Sequence, residues 1–360
     1  EIIGELEIAY RVGHGRYVAI TGTNGKTTTT TLVGEIFKAA ARQTYVVGNI
    51  GVAVISKALS AEKDSWLITE TSSFQLETIR DFRPEISAIL NLTPDHLDRH
   101  KTMQNYIDAK ARVFENQTKD QYCILNYDDA ECRKLIEKCN ATPVPFSRKE
   151  MLDFGAYVKD EKIVIKDADG SVCEICGVEE LQIPGNHNLE NALAACAIAH
   201  FAGIDADVIA KVLREFQGVE HRIELCNEID GIRFVNDSKG TNPDAAIRAI
   251  EAMKRDIILI AGGYDKGASF DEFVSAFDGK VKALVLLGKT ATKIKDAAEK
   301  AGFTNTVILK DMEACVREAY RLAESGDVVL LSPACASWDM YTSFEQRGEH
   351  FKACVRELER

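Results

Sequence analysis

The sequence predicts an α/β fold in two domains. Three observations carry this reading. Short apolar runs alternate with amphipathic helical segments, the pattern of parallel sheets with crossover helices. The alternation occurs as two series, parted near Gly218–Glu224. The length, 360 residues, exceeds one ordinary domain. The expected division is residues 1–218 and 219–360.

In the first series the expected strands are Tyr17–Thr21, Ser65–Thr69, Ile86–Leu92 and Gln121–Asn126. The expected helices are Thr28–Ala40, Met103–Asn116 and Asp128–Cys139. Phe154–Cys176 reads as short strands with turns at Lys159–Glu161 and Asp167–Gly170, a small antiparallel patch. Helices near Asn188–Phe201 and Asp205–Phe216 close the domain. The second series places strands at Ile232–Asn236, Ile257–Ala261, Ala283–Leu287, Thr306–Leu309 and Val328–Leu331, with helices between them. A last helix runs from about Ser343 to Glu359. This second series is a Rossmann-like pattern.

Composition narrows the function classes. Hydrophobic residues make up 46% of the chain, ample for packed cores, and no apolar run is long enough for a membrane span. A net charge of −12 argues against non-specific nucleic-acid binding. Most of the ten cysteines lie in apolar runs and read as reduced thiols of a cytoplasmic protein. Cys173 and Cys176 have the spacing of half a zinc site. Without a second such pair they read as incidental strand cysteines. A monomer is expected.

The segment Gly22-Thr23-Asn24-Gly25-Lys26-Thr27-Thr28 follows the first strand and opens a helix. Glycines let backbone N–H groups curl around a phosphate chain, and the helix start adds a positive dipole end. Lys26 would reach the β- and γ-phosphates, and the Thr27 hydroxyl would take Mg²⁺. This makes the first domain a P-loop ATPase-type sheet, expected to bind a nucleoside triphosphate. The standard loop has a glycine where Ile20 stands.

Parallel sheets bind ligands at the carboxyl ends of their strands. Those ends carry Glu70 and His96 in the first domain, so Thr27, Glu70 and His96 can converge on metal-bound phosphates. Taken singly, Glu70 serves equally as a helix-start carboxylate and His96 as a capping or surface residue. Lys110 falls on the apolar stripe of Met103, Tyr106, Ile107, Val113 and Phe114. A buried lysine has a neutral, nucleophilic amine that can take up CO₂ as a carbamate, an anionic metal ligand. Periodicity alone favours a snorkelling side chain with its head in water. Asn188 and Asn191 share a face of one helix's first turn, suited to reading a nucleobase edge or to capping. In the second domain the strand ends carry Asn236–Asn242, Gly262–Lys266 and Ser332–Ser337, which suggests a small anionic substrate held by Lys266 and hydroxyls.

Together these segments resemble the Mur ligase superfamily, which makes amide bonds at the cost of ATP, and within it the D-glutamate-adding branch. The resemblance runs from Thr21 to Gly348 and is most specific at Glu70–Glu77, Asn236–Asn242 and Ser332–Ser337. The family's phosphate loop has this shortened form, which accounts for Ile20. The resemblance implies ATP, two Mg²⁺ ions, and the substrates UDP-N-acetylmuramoyl-L-alanine and D-glutamate. It implies that Lys26 binds triphosphate and that Thr27, Glu70, His96 and a carbamylated Lys110 hold metal. It assigns Asn188 and Asn191 to the adenine side, and Arg222 and Asp237 to phosphate and ribose. It assigns Asn49 and Ser72 to the muramoyl-alanine substrate, and Thr241, Lys266, Ser337 and Phe344 to D-glutamate. Gly240 replaces a common alanine, and Tyr264-Asp265 differs from one common form of its loop. The chain begins at Glu1, just upstream of the phosphate loop, so the family's N-terminal UDP-binding domain is expected to lie outside it. Folylpolyglutamate synthases share the expected fold, but the serine-rich segments Glu70–Glu77 and Ser332–Ser337 argue against them. The intact set Lys26, Glu70, His96 and Lys110 argues against a non-catalytic nucleotide-binding subunit.

Overall fold

The computed structural model describes residues 2–50, 52–183 and 185–359. The chain forms two compact units, Glu1–Gln217 and Gly218–Arg360. Among the described residues no helix is long and apolar enough to cross a membrane.

The first unit is built on one nine-stranded sheet. Its strands are β1 (Arg16–Thr21), β2 (Thr44–Gly48), β3 (Trp66–Glu70), β4 (Ile86–Ile89), β5 (Tyr122–Asn126), β6 (Thr142–Ser147), β7 (Gly155–Lys159), β8 (Lys162–Lys166) and β9 (Val172–Gly177). The order is β2-β3-β1-β4-β5-β6-β7-β8-β9. Pairing is parallel as far as β7 and antiparallel from β7 to β9. The antiparallel patch is therefore a continuation of the main sheet, and Cys173 and Cys176 lie on its last strand. After β1 the chain crosses to β2 and β3 on one side, then returns to β4 on the other. Such a switch opens a crevice at the strands' carboxyl ends.

Two strands of this unit, β2 and β6, are not among those expected from the sequence. β2 has four of its five residues only half-buried, which weakens the apolar signal. β6 reads Thr-Pro-Val-Pro-Phe-Ser, and proline normally speaks against a strand. It survives because β6 pairs with β5 along its length but with β7 only at Phe146 and Ser147. The prolines thus leave no partner short of an N–H. The expected helix Met103–Asn116 is an α-helix to Ala111 and then a 3₁₀ turn, Arg112–Phe114. Asp128–Cys139 shortens likewise to Ala130–Leu135 plus a 3₁₀ turn.

The N-terminal helix Glu5–Val12 was not legible in the sequence. Its Glu7 is wholly buried and accepts the backbone N–H groups of Arg80, Asp81 and Phe82 at 2.8, 2.9 and 3.1 Å. Arg11 Nε donates to it at 2.7 Å. Burial pushes the Glu7 pKa up, but these bonds outweigh it and hold the carboxyl below its ordinary range. A depressed folded-state pKa contributes stability above the unfolded value, and that stability is lost as pH falls through the folded value. Glu7→Gln should therefore cost about 2–3 kcal/mol at pH 7. Urea unfolding should show the deficit shrinking as pH falls below the carboxylate range. An equal deficit at pH 7 and pH 3.5 would contradict this.

The second unit holds a six-stranded sheet of β10 (Glu224–Ile229), β11 (Ile232–Asn236), β12 (Ile257–Ala261), β13 (Val281–Leu286), β14 (Thr306–Ile308) and β15 (Val328–Leu331). The order is β10-β11-β15-β12-β13-β14. Only the edge strand β10, interrupted by a bulge, is antiparallel. Helices Pro243–Ala252, Asp271–Ser275 and Ala291–Lys300 supply one core, and Met312–Leu322 and Phe344–Glu357 the other. β11, β15 and β12 are adjacent, so the loops leaving their carboxyl ends are neighbours.

Candidate active site

In the first unit β1 delivers the chain into Gly22–Gly25, and the helix Lys26–Ala39 starts there. Gly22 and Gly25 have φ of +147° and +83°, backbone that glycine adopts without strain. A Cβ on Gly25 would lie 2.2 Å from Asn191 Oδ1. Asn191 also accepts from Thr29 at 3.3 Å and donates to Asn188 Oδ1 at 3.1 Å. Both asparagines are buried in the first turns of the helix Asn186–Phe201, and Asn191 packs under the loop.

Thr27 Oγ1 donates to Glu70 Oε2 at 2.8 Å, and Asn49 Nδ2 donates to Glu70 Oε1 at 2.8 Å. The end of β3 thus meets the start of the loop's helix, and Asn49 joins the same cluster. Ser72 caps the short helix Ser73–Leu76 just beyond, in a capping box with Gln75. Lys26 Nζ donates to the carbonyls of Gly22 (2.9 Å) and Thr23 (2.7 Å). Asn24 N–H donates to Asn91 Oδ1 at 2.8 Å, which ties the loop to the end of β4.

Lys110 departs from the snorkelling arrangement that periodicity favours. It is 2% exposed, and its Nζ donates to Gly22 O at 2.8 Å and Thr21 Oγ1 at 3.3 Å. Lys110 and Lys26 therefore converge on one carbonyl oxygen. Burial, then the Lys26 ammonium, hold the Lys110 pKa well below its ordinary value, with Asp95 and Glu70 acting the other way. His96 has a left-handed backbone (φ +53°), lies 3.6 Å from Asp95 and sets its ring edge against Phe74 at 5.0 Å.

These residues fit a magnesium triphosphate. Thr28 Oγ1 is buried at the first turn of the loop's helix with no hydrogen-bond partner among the described residues, where a phosphate oxygen could accept from it. Thr27 and Glu70 form an all-oxygen donor pair of the kind Mg²⁺ takes.

In the second unit Asp237 follows β11. Its carboxylate is buried and turned inward onto Ser332, whose hydroxyl donates at 2.7 Å. Burial pushes its pKa up to about 6, opposed by the nearby Arg222 and by this bond. Thr241 lies on the same loop, near the start of helix Pro243–Ala252. Lys239 Nζ sits 4.8 Å over the Phe344 ring. Gly262 N–H donates to Pro333 O at 2.9 Å and Tyr264 N–H to Ala336 O at 2.8 Å. The loop bearing Lys266 is thereby stitched to the one bearing Ser337.

Comparison with known proteins agrees with this layout. The Mur ligase middle domain family matches residues 20–199, and the Mur ligase glutamate ligase domain family matches residues 221–335. The chain belongs to the Mur ligase family. It is 56% identical to the UDP-N-acetylmuramoylalanine–D-glutamate ligase of Thermoanaerobacter sp. (strain X514), covering 100% of this chain and 80% of that protein. The enzyme of the same name from Clostridioides difficile (strain 630) is 53% identical over 99% of this chain and 79% of its own length. Among solved structures, MurF ligase from Thermotoga maritima in complex with ADP superposes with a TM-score of 0.71 at 17% identity. It covers 98% of this chain and 83% of its own. MurF from Acinetobacter baumannii gives 0.72 at 18% identity, over 99% and 79% of the two chains. These two likenesses carry the fold alone.

Two organising residues of this Mur ligase escaped sequence reasoning. Arg347 is buried and donates to Ser238 Oγ (3.0 Å), Ser238 O (2.8 Å) and Cys335 O (3.1 Å). It joins the loops after β11 and β15. Thr290 accepts from Gly263 N–H at 2.9 Å and lies 3.2 Å from Cys335 Sγ, which joins the loops after β12 and β15. An arginine on a helix reads as a solvated charge, so only its place on the buried stripe of Gly348, Phe351 and Val355 could have signalled it.

Proposed function

We propose that the chain is an ATP-dependent ligase that joins D-glutamate to UDP-N-acetylmuramoyl-L-alanine and forms ADP, in the making of peptidoglycan precursors. The observation that carries this is the pair of lysines and the Thr27–Glu70 pair gathered on one glycine loop, in a chain 56% identical to ligases of that name. The substrate carboxylate attacks the γ-phosphate, giving an acyl phosphate and ADP. The D-glutamate amine then attacks the acyl carbon, and phosphate leaves with the carboxylate oxygen. Lys26 offsets charge on the transferring phosphoryl group, and positioning supplies most of the rest. Mg²⁺, when bound, neutralises phosphate charge, and Thr27, Glu70 and His96 are the residues proposed to hold it.

Lys110 is proposed to carry a carbamate. Its neutral amine adds CO₂ and releases one proton, leaving an anion as a further metal ligand. The support is its burial and its place beside the Lys26 ammonium, which disfavours a second cation. Asn49 and Ser72 are proposed contacts of the muramoyl-alanine substrate. Thr241, Lys266, Ser337 and Phe344 are those of D-glutamate.

Phosphate release tests the reading. With ATP, Mg²⁺ and UDP-N-acetylmuramoyl-L-alanine, release should depend on D-glutamate and be absent with L-glutamate. Release with a folate acceptor and L-glutamate instead would assign the chain to folylpolyglutamate synthesis. No release with any acceptor would favour a binding subunit.

A further inference from the structure

The two tryptophans of this chain have opposite environments. Trp66 is 1% exposed, edge-on to Phe37 with Arg16 over its face. Trp338 is 65% exposed. Its ring centroid lies 5.7 Å from that of Tyr264, itself 37% exposed, with the planes tilted by 55°. An exposed pair of large aromatic faces costs the fold burial that it could have had.

The pair sits where it can act on the acceptor. Trp338 directly follows Ser337, and Tyr264 lies two residues before Lys266. The backbones beneath them are fixed. Tyr264 pairs with Ala336 in a single β-bridge, and Gly262 donates to Pro333. Thr290 locks Gly263 from below, and Asp339 accepts from the Lys289 N–H at 2.9 Å. The Lys289 ammonium lies 5.9 Å over the Tyr264 face, on the same rim. The rings therefore project from a rigid base, with the Lys289 ammonium beside Tyr264 and with Asp265 and Asp339 on the same loops.

We propose that Tyr264 and Trp338 form a preformed aromatic clamp that covers the acceptor amino acid and sets its side-chain specificity. The proposal rests on the assignment of Lys266 and Ser337 to D-glutamate. A glutamate has a short aliphatic stem between two charged ends. Aromatic faces suit the stem, while the ring edges and the Lys289 ammonium suit the carboxylates. Covering the stem takes apolar area from water on both partners. The clamp thus favours an acceptor with two methylenes over one with a single methylene.

Trp338 is its own reporter, because the other tryptophan is buried. The full chain is titrated with D-glutamate in the presence of UDP-N-acetylmuramoyl-L-alanine, Mg²⁺ and a non-hydrolysable ATP analogue. Tryptophan emission should shift to the blue on binding, and Trp338→Phe should remove the shift while keeping affinity within about threefold. In turnover, Trp338→Ala and Tyr264→Ala should each raise the KM for D-glutamate about tenfold. Their KM for ATP should stay within about twofold, and Trp338→Phe should recover most of the loss. The preference for D-glutamate over D-aspartate should narrow in the alanine variants. Calorimetric binding of D-glutamate with unchanged emission and an unchanged KM in both alanine variants would overturn the clamp and leave the site assignment standing. No binding of D-glutamate to the wild-type chain would overturn the assignment and the clamp with it.

Discussion

Lys26→Ala is expected to abolish ATP turnover. The Lys26 ammonium rests on the Gly22 and Thr23 carbonyls, at the mouth of the loop that the helix Lys26–Ala39 points into. Those carbonyls satisfy it only until a phosphate arrives, because an anion is a stronger acceptor for an ammonium. In the role proposed for it, its charge matters most in the transition state, when negative charge spreads over the transferring phosphoryl oxygens. Removing one such preorganised donor costs about 10²–10³ in kcat. The alanine variant should also bind ATP more weakly. It should keep its fold, since Lys26 contributes no core packing. Calorimetry and phosphate release check both parts, and unchanged affinity with unchanged turnover would contradict the assignment.

Lys110→Ala should be equally inactive for a different reason. Lys26 supplies positive charge, whereas Lys110 is proposed to supply negative charge as a carbamate. The desolvated amine shares the Gly22 carbonyl with Lys26, an arrangement that disfavours two ammonium groups. The variant leaves a cavity, so its stability is to be measured beside its activity. Small carboxylates separate the two effects. Acetate or formate should restore part of the activity if the lost element is an anion, and none if the loss is one of packing. Depleting CO₂ should lower wild-type activity and leave Lys26-dependent ATP binding intact. An equally active Lys110→Ala enzyme would refute the role.

How much of this was legible in the sequence depended on how local the signal was. The strand, glycine loop and helix around Gly22–Thr27 follow one another within the chain, so this local structure could be read directly. Glu70 was named from its strand end, and its bond to Thr27 was a consequence of parallel β1 and β3 lying side by side. Lys110 was half legible. Its stripe position was visible, but the carbonyl that receives its head comes from 88 residues earlier in the chain. Asn191 reads as a nucleobase contact or a cap, and its packing against Gly25 and its bond from Thr29 add a supporting role that spacing alone does not show. Asp237, which the resemblance assigns to a ribose, has a partner that the sequence does not announce: its carboxylate accepts from Ser332, because the parallel register of β11 and β15 brings the two loops together. Arg347 and Glu7 were invisible for the same physical reason. Each is a charge buried by partners distant in sequence, and composition or periodicity alone gives such residues to the surface.

The ligation chemistry is tested most directly by following an oxygen atom. UDP-N-acetylmuramoyl-L-alanine labelled with ¹⁸O in both oxygens of its free carboxylate is turned over with ATP, Mg²⁺ and D-glutamate, and the released phosphate is weighed by mass spectrometry. An acyl-phosphate route sends one carboxylate oxygen out with phosphorus, so each phosphate should carry a single ¹⁸O while the product amide keeps the other. Phosphate released without ¹⁸O alongside amide formation would contradict activation of the carboxylate by phosphoryl transfer.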